Sequence, residues 1–314
     1  MTQRTGSVLQ VCTAPRRGQK AAAPSITLVR GHGVEGDFHA GTWHRQVSLL
    51  AEEQIDRMRR KGLELAPGAF GENIVSGGLD PVELEVGRRF LAGPQAVLQV
   101  TQLGKECHER CEIFYKAGDC IMPRFGVFAR VCRGGTLRPG DTLSTDPELD
   151  QVRYAVVTLS DRGAAGKRED TSGDLVCELL AGALSGKLVH RTILRDERPA
   201  LERALVRLCD EELCDLIVTT GGTGLSPRDV TPEATAAVAD RQIPGMAEAM
   251  RAAGLAHTPR AMLSRGICAM RGSSIIVNLS GSPKAVREQL EVLLPALPHA
   301  VQTASGIPQD CARK

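Results

Sequence analysis

The chain has 314 residues, a length that points to two domains. Its 42% hydrophobic and 24% charged content is ordinary for a soluble globular protein. A formal net charge of +2 and 3% aromatic residues provide neither the field nor the stacking platforms that nucleic-acid binding uses. No apolar run approaches a membrane span and residues 1–20 lack a signal-peptide core, so a cytoplasmic location is expected, with the ten cysteines as thiols.

In chain order, glycines first punctuate short apolar runs: SITLV, QVSLLA, GENIV, AVLQVTQL and FGVFARV. Few segments show a long helical period, Ala51 to Lys61 the clearest, so a mostly β domain, a barrel, is expected over residues 1–148. Cys107, His108, Cys111 and Cys120 cluster in sequence. Cys107 and Cys111 are four apart with no second close Cys/His pair, which argues against structural zinc. Lys105 and Arg110 flank Cys107 and favour its thiolate, so a nucleophilic or ligand thiol is expected, with an unreactive loop cysteine as the plain alternative. His39 and His44 read as surface residues, contact with an anionic ligand being the alternative. The polar, turn-rich segment LRPGDTLSTDPELD (137–150) reads as the end of this domain.

Over residues 149–314 strands alternate with helices. Strands are expected at 154–160, 187–194, 215–220 and 274–277, and helices at 173–184 and 199–212. That order indicates an α/β domain with a largely parallel sheet, in which Cys177, Cys209 and Cys214 serve as small core residues. Ligands in such sheets sit at the carboxyl ends of strands. Four segments fall there: Thr158 to Arg162, Arg195-Asp196-Glu197, Gly221-Gly222-Thr223-Gly224 with Asp229, and Asn278 to Lys284. The glycine run lets backbone N–H groups close around an anion, near the positive end of a helix with Thr231 as N-cap and Pro232 at its first position. Asp196 and Asp229 thus converge on one phosphate-binding crevice, where paired acids would hold Mg²⁺ and orient a polyphosphate. Taken singly, each residue has a plain reading: Asp196 or Asp229 as a helix cap, Asp161 with Arg162 as a surface pair, Lys284 as a solvated lysine. Recurrence at successive strand ends favours a site.

VVTLSDRGAAGKREDTSG, LRDE, TTGGTGLSPRDVTPEAT and VNLSGSPKAV occur in the order found in the MogA/MoaB family of molybdopterin-binding domains, which residues 152–305 resemble. AMLSRGICAMRGSSIIVNL (261–279) is similar to the family as well. The resemblance implies an α/β sandwich, a homotrimer and molybdopterin adenylyltransferase activity, in which molybdopterin and ATP give adenylylated molybdopterin and pyrophosphate with Mg²⁺. It makes Asp196 and Asp229 the critical acids and Mg²⁺ ligands. It assigns Ser160, Asp161, Gly221, Gly222, Thr223, Gly224, Ser226, Gly281, Ser282, Pro283 and Lys284 to pterin phosphate or nucleotide. One departure is Ser280, where the family usually has Pro, which removes some preorganisation from that loop.

GVEGDFHAGTWHRQVSLLAEE (33–53), PGAFGENIV (67–75) and the 101–131 segment resemble the MOSC domain, the molybdenum cofactor sulfurase C-terminal type, over about residues 5–145. That resemblance implies that Cys107 carries sulfur or ligates molybdenum, with pyridoxal phosphate binding at the level of the wider family. Leu103-Gly104-Lys105-Glu106 stands where family members often have an Arg/Pro-containing segment. The two resemblances together imply a bifunctional molybdenum cofactor protein. Its expected partners are molybdopterin, ATP and a molybdenum insertase or recipient molybdoenzymes, with no nucleic acid and no membrane. The alternative is a non-catalytic molybdopterin or molybdenum cofactor carrier.

Overall fold

The computed structural model describes residues 3–105, 115 and 120–306. The chain divides into two compact units, Met1–Asp150 and Gln151–Lys314. Among the described residues no helix is long and apolar enough to cross a membrane.

The first unit contains β1 (Thr5–Thr13), β2 (Ala21–Ala23), β3 (Ile26–Val29), β4 (Gly33–Val34), β5 (Val47–Ala51), β6 (Ile74–Gly77), β7 (Arg89–Ala92), β8 (Ala96–Leu103), β9 (Val127–Arg133), β10 (Gly135–Leu137) and β11 (Thr142–Thr145), with one helix of eight residues, α1 (Glu52–Arg59). Strands in the order β11-β7-β8-β9-β5-β6-β1 close into a barrel, because β11 pairs with both β7 and β1. Closure removes the unpaired edges of the sheet. Segment 137–150 is therefore more than a turn: its polar stretch Thr142–Thr145 is the closing strand. Alternation along the strands sorts the core. Val47, Leu49, Ile74, Val127 and Ala129 point into the barrel, while Leu50, Val75 and Phe128 face outward onto Ile55 and Met58 of α1.

The second unit runs β12 (Val152–Leu159), α2 (Thr171–Ala183), β13 (Gly186–Leu194), α3 (Arg198–Asp210), β14 (Leu216–Thr220), α4 (Thr231–Val238), β15 (Arg241–Gln242), α5 (Pro244–Leu255), β16 (Cys268–Arg271), β17 (Ser274–Leu279), α6 (Pro283–Leu293) and α7 (Leu297–Ala304). The sheet order is β13-β12-β14-β17-β16-β15. The pairings from β13 to β17 are parallel, and β16 and β15 add an antiparallel edge. Tyr154, Val156, Leu216, Val218 and Val277 pack with Val176, Leu180, Met250, Val286 and Leu290 on one face. The intervening Ala155, Val157, Ile217 and Ile276 pack with Leu201, Leu205, Leu208 and Ala234 on the other. Strands buried on both faces read as the continuous apolar runs seen here. Cys209 and Cys214 are buried, and Cys177 packs against the first of these clusters.

Candidate active site

Parallel register sets Leu159 beside Leu194, Thr158 beside Thr220 and Thr220 beside Leu279. Four strands therefore end together, and the chain leaves them through Ser160, Asp196, Gly221 and Ser280. A cavity of about 400 Å³ opens at that edge, lined by Ser160, Asp196, Gly221, Gly222, Asp229, Gly281 and Ser282 among others.

The glycine turn admits no side chain. Gly221 and Gly222 have φ of +96° and +63°. A Cβ on Gly221 would sit 2.4 Å from the Leu159 carbonyl oxygen, and one on Gly222 would sit 2.4 Å from Thr231 Oγ1. Thr231 differs from the expected cap. Val230 is the N-cap of α4, and Thr231, inside the helix, donates from Oγ1 to Gly221 O (2.8 Å) while its N–H bonds Gly222 O (3.1 Å). The hydroxyl thus ties the helix to the turn. The helix ends at the cavity also differ. Thr171 and Ser172 at the start of α2 and Ser282, N-cap of α6, line it, so positive helix ends come from these two helices.

Asp196 does not cap α3, whose N-cap is Glu197. Its Oδ2 accepts the Asp161 N–H (2.9 Å), and its own N–H donates to Asp161 Oδ1 (3.2 Å). Asp161 pairs not with Arg162 but with Arg228, whose Nη2 reaches Oδ1 and Oδ2 at 2.8 and 2.6 Å. That pairing holds the Asp161 carboxyl below the ordinary range. Burial pushes the Asp196 carboxyl up, and the Asp161 and Asp229 carboxylates add to the push. Asp229 Oδ2 accepts the Ser226 N–H (2.9 Å), closing the loop upon itself. Thr223 is buried, and Pro283 and Lys284 line a neighbouring cavity of about 740 Å³ that shares Thr171 with this one.

Among the described residues no three His, Cys, Asp or Glu side chains cluster tightly enough to hold a metal by themselves. Two carboxylates on one cavity of about 400 Å³ suit Mg²⁺, which keeps waters and takes its remaining ligands from substrate phosphates.

The model of the probable molybdopterin binding domain matches residues 155–299, and that of the MOSC domain matches residues 35–144. The molybdopterin adenylyltransferase of Helicobacter pylori strain J99 is 43% identical over 159 residues, covering 50% of this chain and 90% of that protein. The chain belongs to the molybdopterin adenylyltransferase family. The molybdopterin adenylyltransferase of Escherichia coli K12 is 42% identical over 144 residues, 46% of this chain and 74% of that one. A solved MoaB structure from Thermus thermophilus, described as a molybdopterin biosynthesis enzyme, is 46% identical and covers 51% of this chain and 99% of that one, with a TM-score of 0.48.

Ser280, where the family resemblance led to an expected proline, is held by buried Gln289. Gln289 Oε1 accepts the Ser280 N–H (2.9 Å) and its Nε2 donates to Ser280 Oγ (3.0 Å). A proline has no N–H to give this bond. The cavity residues Arg168, Glu169, Asp170, Thr171 and Ser172 were not expected from the strand-end pattern. They lie in the approach to α2 and its first turn, where the mostly buried Asp170 accepts from Thr158 Oγ1 (2.9 Å) and Gly173 N (2.9 Å). Arg265, which lies outside the cavity lining, was not expected either; it grips the glycine loop from behind through the Gly224 and Asp229 carbonyls.

In the first unit Cys107, His108 and Cys111 lie outside the described residues. Cys120 lines a cavity of about 360 Å³ together with Arg17, Lys20, His39, Arg45 and Lys105. His39 is thus a cavity residue, whereas His44 is exposed and bonds Gln102 Oε1 (3.0 Å). Lys20 Nζ bonds both Asp37 oxygens at 2.9 Å, in a pair whose side chains are 1% and 2% exposed. The Arg45 guanidinium lies over the Trp43 and Phe128 rings at 5.0 and 5.7 Å.

Proposed function

We propose that the second unit transfers AMP from ATP to the terminal phosphate of molybdopterin. A phosphate oxygen of molybdopterin bonds to the α-phosphorus, the bond from that phosphorus to the β-phosphate bridge breaks, and pyrophosphate leaves. The observation that carries this reading is the convergence of Asp196, Asp229, the Gly221–Gly222 turn and two helix N-termini on one cavity. Mg²⁺ held by Asp196 and Asp229 would spread the charge of the departing pyrophosphate. The chain's own residues position the reactants. The glycine turn lets phosphate oxygens approach the backbone, the starts of α2 and α6 favour negative charge, and Arg168 adds a cation at the rim.

Asp229→Ala and Asp229→Asn test the assignment, read as adenylylated molybdopterin and pyrophosphate formed from molybdopterin and ATP. A loss of at least about a hundredfold is expected. A folded variant with unchanged turnover would refute it, and wild-type protein that binds molybdopterin without releasing pyrophosphate would point to a carrier. For the first unit, the cationic cavity supports binding of the anionic cofactor. Its test is molybdopterin affinity of Arg45→Ala, with the molybdenum content of Cys107→Ser reporting on the thiol. The family reading also brings a homotrimer, for which exposed Leu255, Met262 and Leu263 offer apolar surface.

A further inference from the structure

Behind the cavity wall, one side chain holds the catalytic loop at both ends. Arg265 lies just ahead of β16 and does not line the cavity. Its N–H donates to Thr223 O (2.9 Å), Nε donates to Gly224 O (2.6 Å), Nη2 donates to Asp229 O (2.7 Å), and Nη1 pairs with Glu233 in the first turn of α4. Nε and Nη2 form one edge of the planar guanidinium, so two parallel donors span the carbonyls that bracket residues 224–229. Within that span Asp229 reaches back to the Ser226 N–H, and Arg228 reaches across to Asp161. The Asp229 carboxylate therefore projects from a loop whose two ends are fixed by a single rigid group.

We propose that Arg265 is a positioning residue for adenylyl transfer: it clamps the Gly224 and Asp229 carbonyls and so sets the Asp229 carboxylate against the glycine turn. The chemical half of this proposal rests on the function proposed above; the clamp itself does not. No cation of another shape reproduces it, since a lysine ammonium is a point charge that cannot serve two carbonyls as a fixed fork.

Arg265→Ala and Arg265→Lys are compared with wild type in two measurements. Amide hydrogen exchange of peptides covering residues 219–231 is expected to speed up in Arg265→Ala, to rise less in Arg265→Lys, and to change little in β12 and α2. In turnover assays the half-saturating Mg²⁺ concentration is expected to rise by about ten- to a hundredfold in Arg265→Ala, with partial recovery in Arg265→Lys. A purely structural arginine would lower activity in proportion to the folded fraction and leave the Mg²⁺ dependence where it was. That result, or unchanged exchange at 219–231, would overturn the proposal. If wild-type protein forms no adenylylated molybdopterin, the function reading fails while the exchange measurement still decides the clamp.

Discussion

Gly222→Ala probes the packing that gives the cavity its bare backbone wall. Gly222 has φ of +63°, a conformation that costs an alanine about 1–2 kcal/mol. The new Cβ would lie 2.4 Å from Thr231 Oγ1, so the hydroxyl must turn away and give up its 2.8 Å bond to Gly221 O. Losing that bond adds about 1 kcal/mol, for a total of about 2–3 kcal/mol. The nearest Asp196 oxygen would be 3.5 Å from the Cβ, an ordinary contact, so the acid need not move.

The same geometry predicts non-additivity. Thr231→Ala removes the atom that clashes, together with the bond. The double variant then loses that bond only once, and its cost falls short of the summed single costs by about 1 kcal/mol. Urea titration of the full chain measures this, with far-ultraviolet circular dichroism following the helices, most of them in the second unit, and fluorescence of Trp43, the single tryptophan, following the first. Additive costs, or a Gly222→Ala penalty below about 0.5 kcal/mol, would show that the close approach of Thr231 to the turn does not constrain it.

Three other outcomes are expected. Lys20→Met leaves the Asp37 charge buried without its partner and should cost the first unit about 3–5 kcal/mol by Trp43-detected unfolding. Burial pushes the Asp37 pKa up, but bonds from Lys20 and from the His39 and Ala14 N–H groups hold it below the ordinary value. Its contribution is therefore present above the unfolded-state pKa and lost as pH falls through the folded one, and Lys20→Met should blunt that acid sensitivity. Asp196 has the opposite sign. With its folded pKa raised, first by burial, the unliganded second unit should gain stability as pH falls through that pKa while Mg²⁺-dependent ATP binding weakens. Asp196→Asn should flatten the stability trend, and a melting-temperature profile against pH that matches wild type would contradict this. Ser280→Pro removes the donor to buried Gln289 Oε1 and should cost about 1–3 kcal/mol in thermal or urea unfolding, with part of the loss recovered in Ser280→Pro/Gln289→Leu.

The architecture of the second unit was readable because its strands are buried on both faces and so appear as apolar runs, as in YAVVTLS and DLIVTT. The antiparallel edge was not: β15 is the exposed pair Arg241–Gln242, which carries no apolar signal and exists only through pairing with β16. The barrel was legible in β5, β8 and β9 but not in its closure, since Thr142–Thr145 is polar and its partners lie at Thr5–Ser7 and Phe90–Ala92. Strand-end logic put Asp196, Asp229 and the glycine turn in one crevice, and they line one cavity, because motif and topology coincide there. It missed Arg265, which stands 36 residues from Asp229, and the Lys20–Asp37 pair, which links two irregular segments. Such contacts follow from tertiary placement, and no local pattern announces them.

The charge balance of the cavity constrains how ligands enter it. Asp196 feels both Asp161 and Asp229, and Arg228 offsets mainly Asp161, to which it is bonded. A polyphosphate arriving alone would meet two carboxylates on the cavity wall. Mg²⁺ arriving alone would gain two acidic ligands but would need other oxygens to complete its shell. Under the proposed function each ligand supplies what the other lacks, and positive coupling between them is the expected outcome. Coupling is reciprocal: whatever factor Mg²⁺ adds to ATP affinity, ATP adds to Mg²⁺ affinity. In Asp196→Asn the wall loses one negative charge. ATP should then bind better in the absence of Mg²⁺, while the enhancement produced by Mg²⁺ shrinks. Titration calorimetry of ATP with and without Mg²⁺ separates these two changes. An Asp196→Asn variant that weakens ATP binding equally under both conditions would mean that Asp196 contacts the nucleotide itself and does not share the cation with Asp229.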